Sequence, residues 1–143
     1  MAIPKKGETR DGKLMHFSAG VLIEQDGKYL LIDRTTPPFG FAGVAGHIDE
    51  GEDERQAAMR EVKEETGLEA SDTRLLFKEE LDWNWCNKGV DSHYWYLFEC
   101  SVSGEIKRSE REAKSVGWYS KDEIKTLKLE PVWEYWFKKL NII

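Results

Sequence analysis

The chain has 143 residues, of which 40% are hydrophobic and 34% charged, with a formal net charge of −6. That length and composition fit one globular domain with a real core, and the acidity argues against a general affinity for DNA, RNA or anionic membranes. No stretch approaches the roughly 18 apolar residues of a membrane span.

Residues 1–13 are polar and glycine-containing, with no apolar run to form a signal peptide or anchor, and are expected to be weakly held. Met15–Glu24 reads as a strand, Asp26-Gly27 as a tight turn and Tyr29–Ile32 as the returning strand of a hairpin. Thr35–Gly40 is a loop, because Pro37 and Pro38 remove backbone donors. Phe41–Ala45 forms a short strand. A helix then starts at the N-cap Asp53, with Gln56 in capping-box position, runs to Glu65 and stops at Gly67. Leu75–Trp85 and Ser92–Val102 read as two strands joined across Asn87-Lys88-Gly89. Val116–Tyr119 is a strand and Asp122–Leu127 a short helix. Beyond Pro131, Trp133, Trp136, Phe137 and Leu140 stand at i, i+3, i+4 and i+7, which predicts a last helix with one apolar stripe against the sheet. Strands and helices mix irregularly, which predicts an α/β fold with a mixed β-sheet flanked by helices, in a single domain over 1–143. Cys86 and Cys100 make no CxxC pair and read as inert packing residues of a reduced, cytoplasmic protein.

The segment Gly46–Leu68, GHIDEGEDERQAAMREVKEETGL, holds eight acidic and three basic side chains, so five of the six net negative charges lie there. On a helix Glu61, Glu64 and Glu65 fall within an arc of roughly 100°. Ala58, Met59 and Val62 occupy a neighbouring arc and are expected to face the core. The glutamates then sit at the edge of the buried face, where mutual repulsion and partial desolvation disfavour them unless a positive charge intervenes. Mg²⁺ or Mn²⁺, which prefer carboxylate and carbonyl oxygens, would supply it. Arg60 offers a guanidinium that can orient a carboxylate through a bidentate bond, and Glu52, just before the N-cap, can reach over the same arc. For a glutamate trio alone, a solvated charge-rich helix face is the ordinary explanation.

The whole pattern is more specific. Gly46, five residues, Glu52, seven residues, then Arg60-Glu61-Val62-Lys63-Glu64-Glu65-Thr66-Gly67-Leu68 resembles the Nudix box, G-x5-E-x7-R-E-U-x-E-E-x-G-U, at every specified position. The resemblance implies a Nudix-type α/β/α sandwich and Mg²⁺- or Mn²⁺-dependent hydrolysis of the pyrophosphate bond of a nucleoside diphosphate linked to another group. Nucleoside triphosphates, ADP-ribose-like compounds, nucleotide sugars and dinucleotides all stay open as substrates. It further implies that Glu64 and Glu65 are metal ligands, that Glu61 lies close to metal or water, and that Glu52 ligates a metal or orients the base. Arg60 holds a carboxylate in place, and the Ala45 carbonyl is a further ligand. An extra carboxylate beyond the box, serving as base or ligand, is assigned to Glu112, with Glu110 as the other candidate. Where many relatives enter the box with Pro-Gly-Gly, this chain has Val44-Ala45-Gly46, which weakens transfer of any particular substrate. A homodimer is an arrangement found among relatives.

Aromatic residues are the candidates for substrate contact. Trp83 and Trp85 alternate with Asn84, and His93 with Trp95, so each pair projects from one strand face. A base stacked on such a ring gains about 1–3 kcal/mol, while core packing is the competing explanation for each. Arg34, Phe39 and Phe41 are further candidates around the loop, and His16 and His47 receive no special role. Two other functional classes compete. A non-catalytic nucleotide-sensing module on the same fold would not need every box carboxylate. An isoprenoid diphosphate isomerase would need a cysteine in a defined pocket, which neither Cys86 nor Cys100 shows.

Overall fold

The computed structural model of the protein describes residues 3–86, 88–111 and 113–143. Strand β1 (Lys6–Glu8) pairs antiparallel with the long β2 (Leu14–Gln25), which turns through Asp26 and Gly27 into β3 (Lys28–Arg34). Both turn residues have positive φ, 53° and 77°, the conformation that a two-residue hairpin with the native strand twist requires. Next come β4 (Phe41–Ala42), β5 (Val44–His47), helix α1 (Glu54–Thr66) and β6 (Glu69–Leu81). The chain closes with β7 (His93–Ser103), β8 (Ala113–Ser120), α2 (Lys121–Ile124) and α3 (Pro131–Lys139).

The sheet is mixed. β2 lies between β7, parallel to it from His16↔His93 to Ile23↔Cys100, and β5, antiparallel to it from Ser18↔His47 to Val21↔Val44. β6 continues the sheet beyond β7, while β3 leaves β2 at the hairpin to pair with β8 and β4, all antiparallel. Strand side chains alternate between faces, and two cores result. Val21, Ile23, Leu30, Ile32 and Phe98 pack with Ala57, Ala58 and Val62 of α1. Leu22, Leu31, Trp95 and Leu97 pack with Trp133, Trp136 and Phe137 of α3. Helices therefore cover both faces of the sheet, the sandwich expected from the sequence. Among the described residues no helix is long and apolar enough to cross a membrane.

Several boundaries differ from expectation. The Phe41–Ala45 strand is two strands broken at Gly43, because Trp133 fills the space there: a Cβ on Gly43 would stand 2.5 Å from the indole ring. The strand expected at Leu75–Trp85 begins twelve residues before Leu81, at Glu69, and ends at Leu81, so neither Trp83 nor Trp85 is on it. Beyond Leu81 the chain turns away from the ladder, and the Ser92 hydroxyl donates to the Asp82 carbonyl (3.2 Å) before pairing resumes at His93. The short helix α2 ends at Ile124 rather than Leu127, although its Ser120/Glu123 capping box is complete. α3 carries the expected stripe, with Trp133, Trp136 and Phe137 fully buried and Leu140 at its C-cap.

Candidate active site

Helix α1 is positioned from both ends. Asp53 caps it in a complete capping box with Gln56, and Gly67 terminates it at φ 79° with its N–H on the Lys63 carbonyl. The buried face is Ala58, Glu61, Val62 and Glu65, at i, i+3, i+4 and i+7, so two box glutamates lie within it, at 8% and 7% exposure. Met59, expected in the core, is 42% exposed. It stands about 100° around from Ala58, and the place beside Ala58 and Val62 goes to the glutamates. Gly46 permits this. β5 crosses over Glu61 so closely that a Cβ on Gly46 would stand 2.1 Å from its Oε1.

Arg60 is the hub of the carboxylates. Its Nε and Nη2 donate to the two oxygens of Glu52 at 2.7 and 3.0 Å, a bidentate pair. Nη1 donates to Glu61 Oε1 at 2.7 Å and Glu64 Oε2 at 3.1 Å. Nη2 also donates to the His47 carbonyl at 2.9 Å and lies 3.3 Å from Asp49 Oδ2. The Asp49 N–H donates to Glu52 Oε1 at 3.1 Å. The hydrogen bond from Arg60, joined by that from Asp49, holds the Glu52 carboxyl below the usual range, and burial opposes them. The Ala45 N–H donates to Glu65 Oε2 at 3.1 Å, which joins β5 to α1. Glu64 is the most open of the box glutamates around Arg60, its side chain 49% exposed.

These groups, Glu52 excepted, line one side of an open cavity of about 540 Å³. Arg34, the Thr36–Pro38 turn, Asn84, Trp85, Lys88, His93, Trp95 and Glu130 supply the other walls. Arg34, Trp85, His93 and Trp95 thus meet the box residues as the sequence suggests, but in different settings. Trp85 is a half-exposed loop residue. Trp95 is buried against Trp133 and Trp136, and its Nε1 donates to Asn84 Oδ1 at 2.7 Å. Trp83 turns to Tyr135, edge to face at 5.5 Å, and does not line the cavity. Phe39 is exposed beneath Lys114, and Phe41 packs on Tyr119. Neither lines the cavity. Glu110 is an exposed partner of Arg108 at 3.8 Å, while Glu112 lies outside the described residues.

Glu130 was not singled out in the sequence. It precedes the Pro131 that opens α3, and its carboxylate meets Arg34 Nε at 3.0 Å. Burial raises its pKa to about 7, against the opposing pull of Arg34. An acid with a raised native pKa binds more protons folded than unfolded, so its contribution to stability is complete below pH 4.5 and is lost as pH rises to about 7. Over that window wild type is expected to lose on the order of 3 kcal/mol relative to Glu130→Gln. Urea unfolding of both proteins at closely spaced pH values would measure this, and parallel profiles would exclude Glu130 as the titrating group.

Two histidines, His47 and His93, line the same cavity, and a third, His16, packs edge-on against both. His47 Nε2 and His93 Nε2 are 3.2 Å apart, with the rings stacked at 12° and 5.3 Å between centroids. His93 Nδ1 meets the Asn84 carbonyl at 2.7 Å, and His16 Nδ1 lies 3.9 Å from Cys86 Sγ. Burial lowers the pKa of all three, that of His47 to about 3, with the neighbouring His93 adding to the effect. Their sequence separations, 31 and 46 residues, give no spacing signal; β2, β5 and β7 bring them together at Ser18↔His47 and His16↔His93.

An α/β/α sandwich with a Nudix-type carboxylate cluster on the helix flanking its cavity defines the class of protein. The NUDIX domain family model matches residues 14–140, and the chain belongs to that family. An uncharacterized Nudix hydrolase of Rhodococcus erythropolis is 28% identical over 136 residues, covering 87% of this chain and 73% of the relative. A bis(5'-nucleosyl)-tetraphosphatase of Rattus norvegicus is 35% identical over 94 residues, covering 64% and 59% respectively. Among solved structures, a MutT protein from Bacillus halodurans superposes with a TM-score of 0.71 at 18% identity, covering 85% of this chain and 79% of its own.

Proposed function

We propose that this cavity hydrolyses the pyrophosphate bond of a nucleoside diphosphate linked to a second group, with Mg²⁺ or Mn²⁺ at the box carboxylates. The observation that carries the reading is the gathering of carboxylates at the cavity wall: among the described residues, the Arg60 guanidinium there holds Glu52, Glu61, Glu64 and Asp49 together. A polyphosphate approaches such a wall only through cations. The donors are all hard oxygens, the set that Mg²⁺ and Mn²⁺ prefer. Glu61, Glu64, Glu65 and the Ala45 carbonyl would hold the ions. Glu52, already bound by Arg60 and the Asp49 N–H, keeps the guanidinium and the 47–52 loop in place. When bound, the divalent cations neutralise phosphate charge and acidify the attacking water.

The chain's own groups do the rest. Arg34 and Lys88 line the same cavity as the carboxylates and would bind phosphate oxygens, and Trp85 offers an accessible ring for a base. Glu112 remains the proposed extra-box carboxylate, and Glu112→Gln belongs in every assay. Among substrate classes, dinucleoside polyphosphates come first, on the likeness to the tetraphosphatase. The test is a panel of nucleoside triphosphates, ADP-ribose, nucleotide sugars and dinucleoside polyphosphates with Mg²⁺, run on wild type and Glu65→Gln with products identified by mass. Selective cleavage that Glu65→Gln loses would support the reading; tight nucleotide binding without cleavage of any compound would overturn it in favour of a sensor.

Gly46→Ala is a sharper probe of geometry. The Gly46 backbone lies outside the left-handed region, so alanine fits the strand, and the nearest atoms its methyl group would meet are those of the Glu61 carboxylate. Folding stability should fall by about 1–3 kcal/mol, the usual cost of an overpacked buried site, while turnover falls at least tenfold, or about 1.4 kcal/mol in barrier. Equal turnover would show that the Glu61 carboxylate need not occupy this position.

A further inference from the structure

The geometry points to a second metal site in this protein, a thiolate and three imidazoles from His16, His47, Cys86 and His93, suited to Zn²⁺ rather than to the Mg²⁺-type ions of the box. One ligand atom from each residue lies within 4.8 Å of all the others. In a tetrahedral zinc site, metal–nitrogen bonds of about 2.0–2.1 Å and a metal–sulfur bond of about 2.3 Å set the ligand atoms about 3.3–3.6 Å apart. The His47–His93 separation of 3.2 Å and the Cys86–His16 separation of 3.9 Å bracket that range. The longest separation needs to close by only about 1 Å.

The surroundings are those of a ligand set. His93 Nδ1 faces the Asn84 carbonyl at 2.7 Å, so it donates its proton there and presents Nε2 with a lone pair. Such a hydrogen bond to a backbone carbonyl is the usual device for orienting a metal-bound histidine. His16 and His93 are held rigidly on paired strands and are buried, whereas Cys86 sits half-buried on the loop between β6 and β7. An ion here would pin that loop, with Asn84, Trp85 and Lys88, to the sheet beside the cavity. Binding releases the thiol proton to solvent, since the thiolate is the ligand and the imidazoles coordinate neutral. The two centres sort their ions by ligand chemistry: thiolate and imidazole suit zinc, carboxylate and carbonyl suit magnesium. His47 joins them, its ring in the imidazole cluster and its carbonyl on Arg60.

The test is titration of the metal-depleted full-length protein with Co²⁺, a spectroscopic substitute for Zn²⁺, in excess Mg²⁺. Wild type should develop a thiolate-to-cobalt charge-transfer band that ends at one ion per chain and disappears on adding Zn²⁺. Cys86→Ser should lack the band, Cys100→Ser should keep it, and Glu64→Gln with Glu65→Gln should keep it. In wild type without any substitution, Zn²⁺ but not Mg²⁺ should slow alkylation of Cys86 at least tenfold. Absence of the band in folded wild type, its persistence in Cys86→Ser, or its loss with the glutamate pair would each overturn the assignment. Alkylation of Cys86 at the same rate with and without Zn²⁺ would do so as well.

Discussion

Glu64→Gln combined with Glu65→Gln is expected to lower turnover about 10³-fold and to abolish the stabilisation that Mg²⁺ gives the wild type. Lewis-acid stabilisation of a developing phosphoryl charge is worth several kcal/mol, and each 1.36 kcal/mol is about tenfold in rate. At Mg²⁺ about a hundredfold above Kd, binding to the native state adds about 2.7 kcal/mol, on the order of 9 °C in Tm for a chain of this size. Glutamine is nearly isosteric, and its carbonyl oxygen can still accept the Ala45 N–H that Glu65 accepts at 3.1 Å. The fold should therefore persist, and without divalent cations the double variant should stay within about 1 kcal/mol of wild type, since relief of like-charge repulsion and loss of the Arg60–Glu64 ion pair oppose each other. Thermal unfolding of both proteins with EDTA and with Mg²⁺ separates these effects. An equal Mg²⁺-induced rise in Tm in the two proteins would refute the ligand assignment.

Arg60→Ala is expected to be the most destabilising single change at the site, and its cost should depend on the cation. Removing one member of a buried ion pair costs about 3–5 kcal/mol because the partner charge is left uncompensated. Arg60 is 28% exposed on its side chain, and Glu61 and Glu52 are 11% and 17% exposed, so solvent screens part of this. About 2–3 kcal/mol is the expected loss in EDTA. Mg²⁺ should restore much of it, because the ion replaces the missing positive charge among the same oxygens. Arg60→Lys retains the charge but not the planar fork that grips both oxygens of Glu52. It should recover stability better than activity, since the Glu52 and Glu61 carboxylates lose their fixed orientation. Urea unfolding under both conditions, beside steady-state kinetics, would check this. A loss that Mg²⁺ leaves untouched would mean that Arg60 stabilises the fold independently of the ion site.

The features legible in the amino-acid sequence alone are local ones. The capping box of Asp53 and Gln56, the stop at Gly67, the Asp26-Gly27 hairpin and the stripe of α3 are set by neighbours within a few residues. So is the spacing of the Nudix box, which places Glu61, Glu64 and Glu65 along one helix whatever that helix packs against. Which glutamates are buried was decided by tertiary structure. The close crossing of β5 at Gly46 and the contact of Ala45 with Glu65 draw Glu61 and Glu65 under the strand and turn Met59 out to solvent. The substrate wall is likewise tertiary. Trp83 and Trp85 alternate as a strand would, yet they lie beyond the end of β6, and only Trp85 reaches the cavity. Glu130 gains its raised pKa from burial beside Arg34, nearly a hundred residues earlier in the chain. The histidine–cysteine cluster has no periodicity to read, because strand pairing between distant segments creates it. Local patterns record the physics of residues within about one helical turn. Burial, and with it the charge state and reach of each site residue, depends on which distant surfaces the fold presses together.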